Sequence, residues 1–330
     1  MQDIYFESNY GKLYERIENG TCEIFKYSSF LGNVYHMFLK REIPLCVNDG
    51  KSYFDIVTPY GYGGPLITDF KEGYKNELLN GFKQEFQKYC NEINIVSEFV
   101  RFHPIADNAQ DFKEIYKIEN IRTTVGTNIR DYTDPVLSEF SKSARKSIRK
   151  ALNAGVTYKI TEKPNSINNF KQIYYSTMDR NGASNYYYFD DSYFNSCLEL
   201  FKDNIILVEV NYEDKTIASG FYFVYGKMIH AHLSGTLQDY LHLSPAYIIK
   251  YATVMWAKEN GKDIVHYGGG TSNSKEDPLY QFKRKFGRNS EFEFYIGKKV
   301  WNRAIYNELC EKKEIGEELD FFPAYRKNSV

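Results

Sequence analysis

Three β-rich segments in the C-terminal half, joined by two short turns, constrain the fold of this chain most. They cover residues 205–211, 216–225 and 228–234, and the turns at 212–215 and 226–227 connect them. Connections this short join antiparallel neighbours, whereas parallel strands need a long crossover. We therefore expect an antiparallel meander in this half of the chain.

Helical patterns lie on both sides of the meander. Before it, apolar side chains recur at spacings of three and four over residues 134–155. Two more segments, 165–180 and 192–202, are also expected to be helical. Ser244-Pro245 is typical of an N-cap followed by the first residue of a helix, which we expect to end at Gly261. A short buried strand at 264–267 then leads into three consecutive glycines, Gly268, Gly269 and Gly270.

The N-terminal half repeats this order in a weaker form. Strand-like segments at 22–27, 37–42 and 53–57 precede a Gly-rich turn, a helical pattern and further strands. The apolar face of that helix carries Leu78, Leu79, Phe82, Phe86 and Tyr89. The two halves together predict an α+β chain of mixed α/β elements that is built from a duplicated unit. The boundary is expected in the short polar turn at 130–135.

Charge and cysteine content exclude several classes of protein. The 42 Lys and Arg residues balance 43 Asp and Glu residues, so no net field draws the chain onto DNA or lipid, and an anionic partner needs a local patch. Five widely spaced cysteines without a CxxC motif do not support a zinc site or a disulfide framework. The absence of a long apolar segment and of a secretory leader indicates a cytoplasmic protein without a transmembrane segment.

Two segments could hold an anionic or aromatic ligand. The loop at 58–65, with Tyr60 and Tyr62, is either a tight connection whose tyrosines pack, or a wall in which glycines let the backbone approach a ligand. The helix at 134–155 has a basic face that is either solvated or a docking patch for phosphate. This face consists of Lys142, Arg145, Lys146, Arg149 and Lys150.

Two further segments could carry chemistry. Strand periodicity places His230, His232 and Ser234 on one face, where a proton shuttle is favoured over a metal site because no third ligand accompanies the histidines. Tyr267 and the glycines at 268–270 end a strand, and a basic helix follows at 277–287. Neither GxxxxGK[ST] nor GxGxxG occurs, so the usual nucleotide loops are excluded.

These motifs in this order resemble the Fem-type branch of the GNAT acyltransferase superfamily. The residues that carry the resemblance are SKSARKSIRKALNAG at 141–155, HLSGT at 232–236, the helix at 244–261, YGGG at 267–270, DPLYQFKRKFG at 277–287 and the TPYGYGGP loop. The resemblance implies two tandem GNAT-like domains, each a mixed, mostly antiparallel sheet flanked by helices. Residues 1–131 and 300–330 would form the first domain, and 132–299 the second domain with the active site.

The resemblance also implies a reaction and roles for single residues. The reaction is transfer of an acyl or aminoacyl group to an amine, in a cell-wall or envelope precursor linked to a nucleotide or a lipid. Lys283 and Phe282 would lie at the active site and Arg180 would bind substrate phosphate. From the motifs described above, we add as candidate substrate contacts Arg145, Arg149, Tyr60, Tyr62, Ser234 and the segment 267–270. His232 is our candidate base. No cofactor or metal is expected to be bound.

The donor stays open between acyl-CoA and aminoacyl-tRNA, with tRNA then a partner. Acyl-CoA enzymes of this superfamily carry a Gln/Arg-x-x-Gly-x-Gly/Ala loop before the central helix, whereas this chain has 239-DYLHLSP-245 there. A lipid-linked acceptor would bring the protein to the inner face of the membrane. The alternative is a degenerate GNAT-like protein that only binds an anionic ligand or partner.

Overall fold

The computed structural model describes residues 3–314 and 321–327. Two compact units divide the chain. Among the described residues, unit 1 contains 5–121, 293–314 and 321–327, and unit 2 contains 3–4 and 122–292. Residues 1–2, 315–320 and 328–330, which we expected in the first domain, lie outside the described residues.

Strands and helices are numbered here in chain order. The strands are β1 (Thr21–Ser29), β2 (Gly32–Glu42), β3 (Phe54–Val57), β4 (Leu66–Phe70), β5 (Ile95–Arg101), β6 (Lys117–Asn128), β7 (Thr157–Glu162), β8 (Ile205–Tyr212), β9 (Lys215–Tyr225), β10 (Met228–Thr236), β11 (Ile264–Gly269) and β12 (Glu291–Val300). The helices are α1 (Ser8–Glu18), α2 (Lys75–Glu92), α3 (Asn108–Phe112), α4 (Pro135–Glu139), α5 (Lys142–Asn153), α6 (Asn168–Arg180), α7 (Asp191–Phe201), α8 (Pro245–Glu259), α9 (Pro278–Arg284) and α10 (Arg303–Lys312). A 3-10 helix at Gln238–Leu243 precedes α8.

Unit 1 is a mostly antiparallel sheet covered by helices. Its hydrogen-bonded order is β1-β2-β3-β5-β12, with β4 also paired to β2, and β3–β5 is the parallel pair. The predicted helix is α2, whose Leu78, Phe82 and Phe86 are fully buried in the core of this unit. The last helix, α10, also belongs to unit 1, where Leu309 is buried.

Unit 2 contains the predicted meander. Strands β8, β9 and β10 are consecutive antiparallel neighbours in the order β6-β11-β10-β9-β8-β7. Helix α8 buries Ile248, Ile249 and Ala252 in the core of this unit, as its apolar sequence requires. Mixed, mostly antiparallel sheets with helices on their faces confirm the predicted α+β class.

Several elements differ from the prediction. The helix expected over 134–155 is broken into α4 and α5, because Phe140 is extended and the Ser141 hydroxyl accepts from Ala144 N at 3.1 Å, which starts a new helix. Ser244 precedes α8 but does not cap it with its side chain. The boundaries between the two units lie within β6 and β12, so each of these strands contributes residues to both units. We expected the boundaries at 131/132 and 299/300.

Among the described residues, no helix combines the length and the apolarity needed to cross a bilayer.

Candidate active site

The carboxyl ends of β10 and β11 define the candidate site in unit 2. The two strands are parallel neighbours over three residue pairs, from Met228 and Ile264 to His230 and His266. Beyond these pairs, each strand continues with its antiparallel partner, β10 with β9 and β11 with β6. Backbone groups at the point where two parallel strands part are a common place for a ligand to bind.

Asp277 organises the glycine turn that follows β11. One carboxylate oxygen accepts hydrogen bonds from the backbone N–H and the hydroxyl groups of Thr271 and Ser272, at 2.6–3.1 Å. The other oxygen caps α9 by accepting from Leu279 N and Tyr280 N, both at 2.9 Å. The side-chain hydrogen bond from Thr271, followed by these backbone N–H groups, lowers the pKa of Asp277 well below its ordinary value.

The glycines of this turn are required by its shape. Gly268 has a φ of +73°, a conformation that residues with a Cβ adopt with strain. A Cβ on Gly270 would overlap the Asp277 carboxylate. Asp277 therefore fixes the turn and the start of α9 relative to each other.

Two cationic side chains hold the carbonyl groups of this turn. Lys283 Nζ, on α9, donates to Gly269 O at 2.6 Å, and Arg122 Nη1, on β6, donates to Gly270 O at 2.7 Å. Burial, followed by the charges of Lys250 and Arg122, lowers the pKa of Lys283 to about 7. The buried Nε of Arg122 has no hydrogen-bond partner in the structure.

A third cation, Lys250 on α8, completes the group. Its side chain is only 6% exposed, and its Nζ donates to Tyr222 Oη at 3.2 Å and lies 4.6 Å from the ring centre of Tyr267. Burial lowers the pKa of Lys250 to about 7. We call Arg122, Lys250 and Lys283 the cationic cluster.

The cationic cluster forms no ion pair with the part of the chain that the structure describes. Among the described residues, no carboxylate forms an ion pair with any of its three members. Buried cations without an anionic partner are costly, and proteins retain them where a ligand or a transition state supplies negative charge. The cluster is therefore suited to an anion or to an oxygen on which negative charge develops.

Aromatic residues pack beside the cationic cluster. Tyr267 is buried, and its hydroxyl is hydrogen bonded to Thr127 Oγ1 at 2.5 Å, so it supports Lys250 through its ring. Phe282 packs edge-on against Tyr247 and Phe286, with ring centres 5.3 and 5.2 Å apart. Among the predicted site residues, the structure thus brings Lys283 together with the glycine turn, and Phe282 and Tyr267 form their packing.

Arg180 and the end of β10 form a second contact group. Arg180, the last residue of α6, donates through Nη1 to Thr236 O at 2.6 Å and through Nη2 to Thr236 Oγ1 at 3.1 Å. The Thr177 hydroxyl also donates to Thr236 O and accepts from Thr236 N. These hydrogen bonds of Arg180 hold the end of α6 against Thr236, the last residue of β10. Thr236 lies two residues after Ser234, which is exposed.

A β-bulge between Ala231 and Leu233 lies beside His232 and interrupts the regular alternation of side chains along β10. His230 is paired with Phe223, and the ring of His232 packs against the same Phe223. His230 Nε2 lies 2.9 Å from both carboxylate oxygens of Asp3. The two histidines have different hydrogen-bond partners.

The surroundings of His232 disfavour its expected role as a base. Its Nε2 shares a hydrogen bond of 2.7 Å with Tyr193 Oη, and the rings of Phe221 and Phe223 lie 5.8 and 4.8 Å away between centres. Burial, with a smaller contribution from His230, lowers the pKa of His232 to about 3. An imidazole with this pKa takes up a proton poorly at neutral pH.

The basic helix and the tyrosine loop are partly structural. Arg145 Nη1 donates to Leu137 O at 2.6 Å and Phe140 O at 2.9 Å, which holds the end of α4, whereas Arg149 is exposed. In unit 1, Tyr62 is only 8% exposed and packs against neighbouring rings, and Tyr60 O accepts from Tyr10 Oη at 2.9 Å. Packing therefore accounts for the shape of this loop.

Three residues of the site were not predicted from the sequence: Arg122, Lys250 and Asp277. Lys250 stands within the apolar stretch 245-PAYIIKYATVMWA-257, and a lysine there signals a buried charge. Asp277 precedes Pro278, which is an N-cap signal. Arg122 gives no local signal, because its place follows from strand pairing.

Comparisons with known proteins agree with this fold. The family model of the GNAT acetyltransferase domain matches residues 138–284. A UDP-N-acetylmuramoylpentapeptide-lysine N(6)-alanyltransferase from Weissella viridescens is 24% identical over 178 residues. That similarity covers 53% of this chain and 52% of the relative, so the chain spans about half the length of the relative it matches.

Solved structures match nearly the whole chain. The crystal structure of FemX has a TM-score of 0.69 at 13% identity and covers 92% of this chain and 94% of its own. L-PGS from Bacillus licheniformis has a TM-score of 0.54 at 11% identity, covering 96% and 99%. These matches extend over both units and show that the fold of the whole chain is similar to that of FemX, whereas the GNAT domain model matches residues of unit 2 alone.

Proposed function

Because residues 138–284 form a GNAT domain of the Fem-type branch, we propose that this chain transfers an aminoacyl or acyl group from an activated ester or thioester to an amine, forming an amide. The observation that carries the proposal is the cationic cluster at the end of β11, none of whose members forms an ion pair with a carboxylate of the described residues. The acceptor is an amine in a cell-wall precursor. The Weissella relative, whose name gives a lysine of a UDP-linked muramoyl pentapeptide as its acceptor, supports this choice.

The chemistry requires negative charge to be stabilised at one oxygen. When an amine attacks an ester carbonyl, its oxygen becomes an oxyanion, and hydrogen-bond donors aimed at that oxygen lower the barrier. Lys283 Nζ donates one hydrogen bond to Gly269 O and has two further N–H groups for this task. Lys250 and Arg122 add positive charge to the same place.

We favour an aminoacyl ester over acyl-CoA as the donor. Binding of a pyrophosphate at the start of the central helix requires free backbone N–H groups. Here the preceding 3-10 helix uses such groups internally: Tyr240 N donates to Leu237 O and Ser244 N to Leu241 O. Pro245, the first residue of α8, has no N–H. An ester of tRNA does not need this cradle, so tRNA is the proposed partner.

The active site is assigned to unit 2, and phosphate recognition to two of its basic groups. Arg180 retains N–H donors beyond those used by Thr236, and Arg149 is exposed on α5. The protein would bind a nucleotide-linked acceptor in the cytoplasm and a lipid-linked acceptor at the inner face of the membrane.

A transfer assay tests the proposal. The purified chain is incubated with tRNA charged with radiolabelled amino acids and with a UDP-linked muramoyl pentapeptide, and the product is analysed by mass spectrometry. We expect an acceptor extended by one amino acid. Lys283→Met is expected to reduce kcat by about 10²–10³, as loss of one oxyanion donor does.

The control is Lys202→Met, the same chemical change at an exposed position on the surface of unit 2. Equal rates for Lys283→Met and Lys202→Met would remove Lys283 from the reaction. Binding of the acceptor without product from either an aminoacyl-tRNA or an acyl-CoA donor would instead support the degenerate binding protein.

A further inference from the structure

The exposed face of α5 carries basic side chains in one line. Residues at spacings of three or four share this face, and we call them the basic stripe: Lys142, Lys146, Arg149 and Lys150. All of them are exposed, whereas the opposite face of α5 is buried in the core of unit 2 through Ala144, Ile148 and Ala151. Because an α-helix rises about 1.5 Å per residue, the stripe is about 12 Å long.

No ion pair balances the charge of the basic stripe within the part of the chain that the structure describes. From residue 140 to residue 161 the sequence contains neither Asp nor Glu. The preceding Glu139 is buried, and its carboxylate accepts from Asn289 N at 2.8 Å and is hydrogen bonded to the Ser290 hydroxyl. This carboxylate is therefore used inside unit 2.

Such an arrangement is unfavourable for the helix by itself. The pairs Lys142–Lys146 and Lys146–Lys150 place like charges four residues apart, where they repel each other. A cation in the first turn, such as Lys142, also opposes the helix dipole. Surface helices commonly relieve this repulsion with a carboxylate three or four residues away, and α5 contains no acidic residue. A partner that supplies negative charge along the same line would relieve it.

The start of α5 is joined to the segment that carries Lys283. Ser141, the N-cap of α5, donates from its backbone N–H to Lys285 O at 2.7 Å. Phe140 and Phe286 pack edge-on, with ring centres 5.1 Å apart. Lys285 lies two residues after Lys283. The basic stripe therefore begins next to the end of α9 and continues along α5.

We propose that the basic stripe binds the phosphate backbone of the RNA whose aminoacylated end reaches Lys283. This inference rests on the proposed function, in which the donor is an aminoacyl ester of tRNA. Lysine and arginine side chains hold phosphates by charge, without reading the base sequence. The stripe offers several such contacts in a row, next to the segment that acts on the ester. A lipid surface fits less well, because the apolar face of α5 is buried and cannot enter a bilayer.

Binding of uncharged tRNA at several salt concentrations tests the stripe without any transfer step. Fluorescence anisotropy gives the association constant at each concentration. Four phosphate contacts predict that the logarithm of this constant falls against the logarithm of the salt concentration with a slope of about −3 or steeper. Lys146→Gln is expected to weaken the binding of tRNAs of different sequence to a similar extent and to reduce the slope by about 1.

The matched control is Lys202→Gln, the same change at an exposed position of unit 2, which should leave the slope unchanged. Lysine and glutamine have similar helix propensities, so Lys146→Gln should keep α5 folded. Equal slopes in Lys146→Gln and the wild type would overturn the proposal. Sedimentation with phosphatidylglycerol vesicles tests the other partner: vesicle binding that Lys146→Gln abolishes, together with unchanged tRNA binding, would assign the stripe to a lipid surface.

The transfer assay separates this inference from the proposed function. With aminoacyl-tRNA as the donor, Lys146→Gln should raise KM and leave kcat as it is, because the stripe binds the ground state and the transition state equally. With an aminoacyl ester of adenosine, which has no phosphate, the KM values of Lys146→Gln and the wild type should agree. Transfer with the same KM for aminoacyl-tRNA in both proteins would refute the stripe and leave the function standing. Stripe-dependent tRNA binding without product from any donor would support the stripe and contradict the transferase function.

Discussion

Lys283 Nζ donates a hydrogen bond of 2.6 Å to the carbonyl oxygen of Gly269, the last residue of β11. This contact joins a short helix to a strand end, and both are held by one carboxylate, that of Asp277. A charged side chain on a seven-residue helix is fixed in place only if the helix itself is anchored. The position of Lys283 therefore depends on Asp277.

Asp277→Asn is expected to lower both stability and activity. The amide group of asparagine can accept at one oxygen only, so either the turn or the cap of α9 loses its hydrogen bonds. We expect a loss of about 1–3 kcal/mol in the free energy of unfolding, measured with urea, and a fall in kcat. Asp134→Asn is the matched control, because Asp134 caps α4 with one hydrogen bond to Leu137 N. Similar losses of activity in both variants would contradict the anchoring role.

Lys250→Met is expected to change the pH dependence of stability. The pKa of Lys250 falls from an ordinary value above 10 to about 7 on folding, so between these pH values the unfolded chain binds more protons than the folded one. The free energy of unfolding of the wild type should therefore rise with pH over this window. The charge of Lys250 destabilises the fold fully below about pH 7, and this effect disappears as the pH approaches 10.

Lys250→Met should be the more stable protein at pH 7, by on the order of a few kcal/mol, and this advantage should vanish near pH 10. Urea unfolding at pH 7, 8, 9 and 10 measures this difference. In Lys202→Met, a change at an exposed position, the free energy of unfolding should depend on pH as it does in the wild type. A variant that is less stable than the wild type at pH 7 would show that packing by Lys250 outweighs its buried charge.

Local sequence signals predicted most of the fold. The meander is confirmed because its strands are consecutive and joined by short turns, so each finds its neighbour without long-range information. Strand β12 was missed although 291-EFEF-294 alternates polar and apolar residues as a strand does. Its pairing with β5, almost two hundred residues earlier in the chain, could not be predicted, because a pairing over such a separation leaves no signal in either segment alone.

The candidate site was predictable in part for the same reason. Lys283 and the glycines lie in short motifs that the resemblance identified, and the structure joins them. Arg122 comes from a strand 148 residues before Gly270, whose carbonyl it holds. The helix that carries Lys250 was likewise predicted, but the contacts of this lysine with Tyr222 and Tyr267 depend on packing between elements.

His232→Gln tests whether the candidate base has a catalytic role. Glutamine can keep a hydrogen bond to Tyr193, and a histidine with a pKa near 3 is already neutral throughout the range from pH 5 to 9. We expect the pH profile of kcat/KM to be unchanged. The loss of rate should be smaller than the roughly 10²–10⁴-fold that removal of a general base causes. Disappearance of the acidic limb of the profile would restore His232 as the base.

Calorimetric titration with coenzyme A and acetyl-CoA tests the choice of donor. The segment before α8 offers few free N–H groups to a pyrophosphate, because its 3-10 helix uses them internally and Pro245 has none. Asp239 in the same segment adds a negative charge that repels phosphate. We therefore expect no binding heat at ligand concentrations up to about 1 mM, a level at which a weak complex of about −4 kcal/mol would be half occupied. Micromolar binding of acetyl-CoA would instead mean that this chain holds pyrophosphate by side chains, and the search for an acceptor would turn from peptide amines to amino sugars and other small amines.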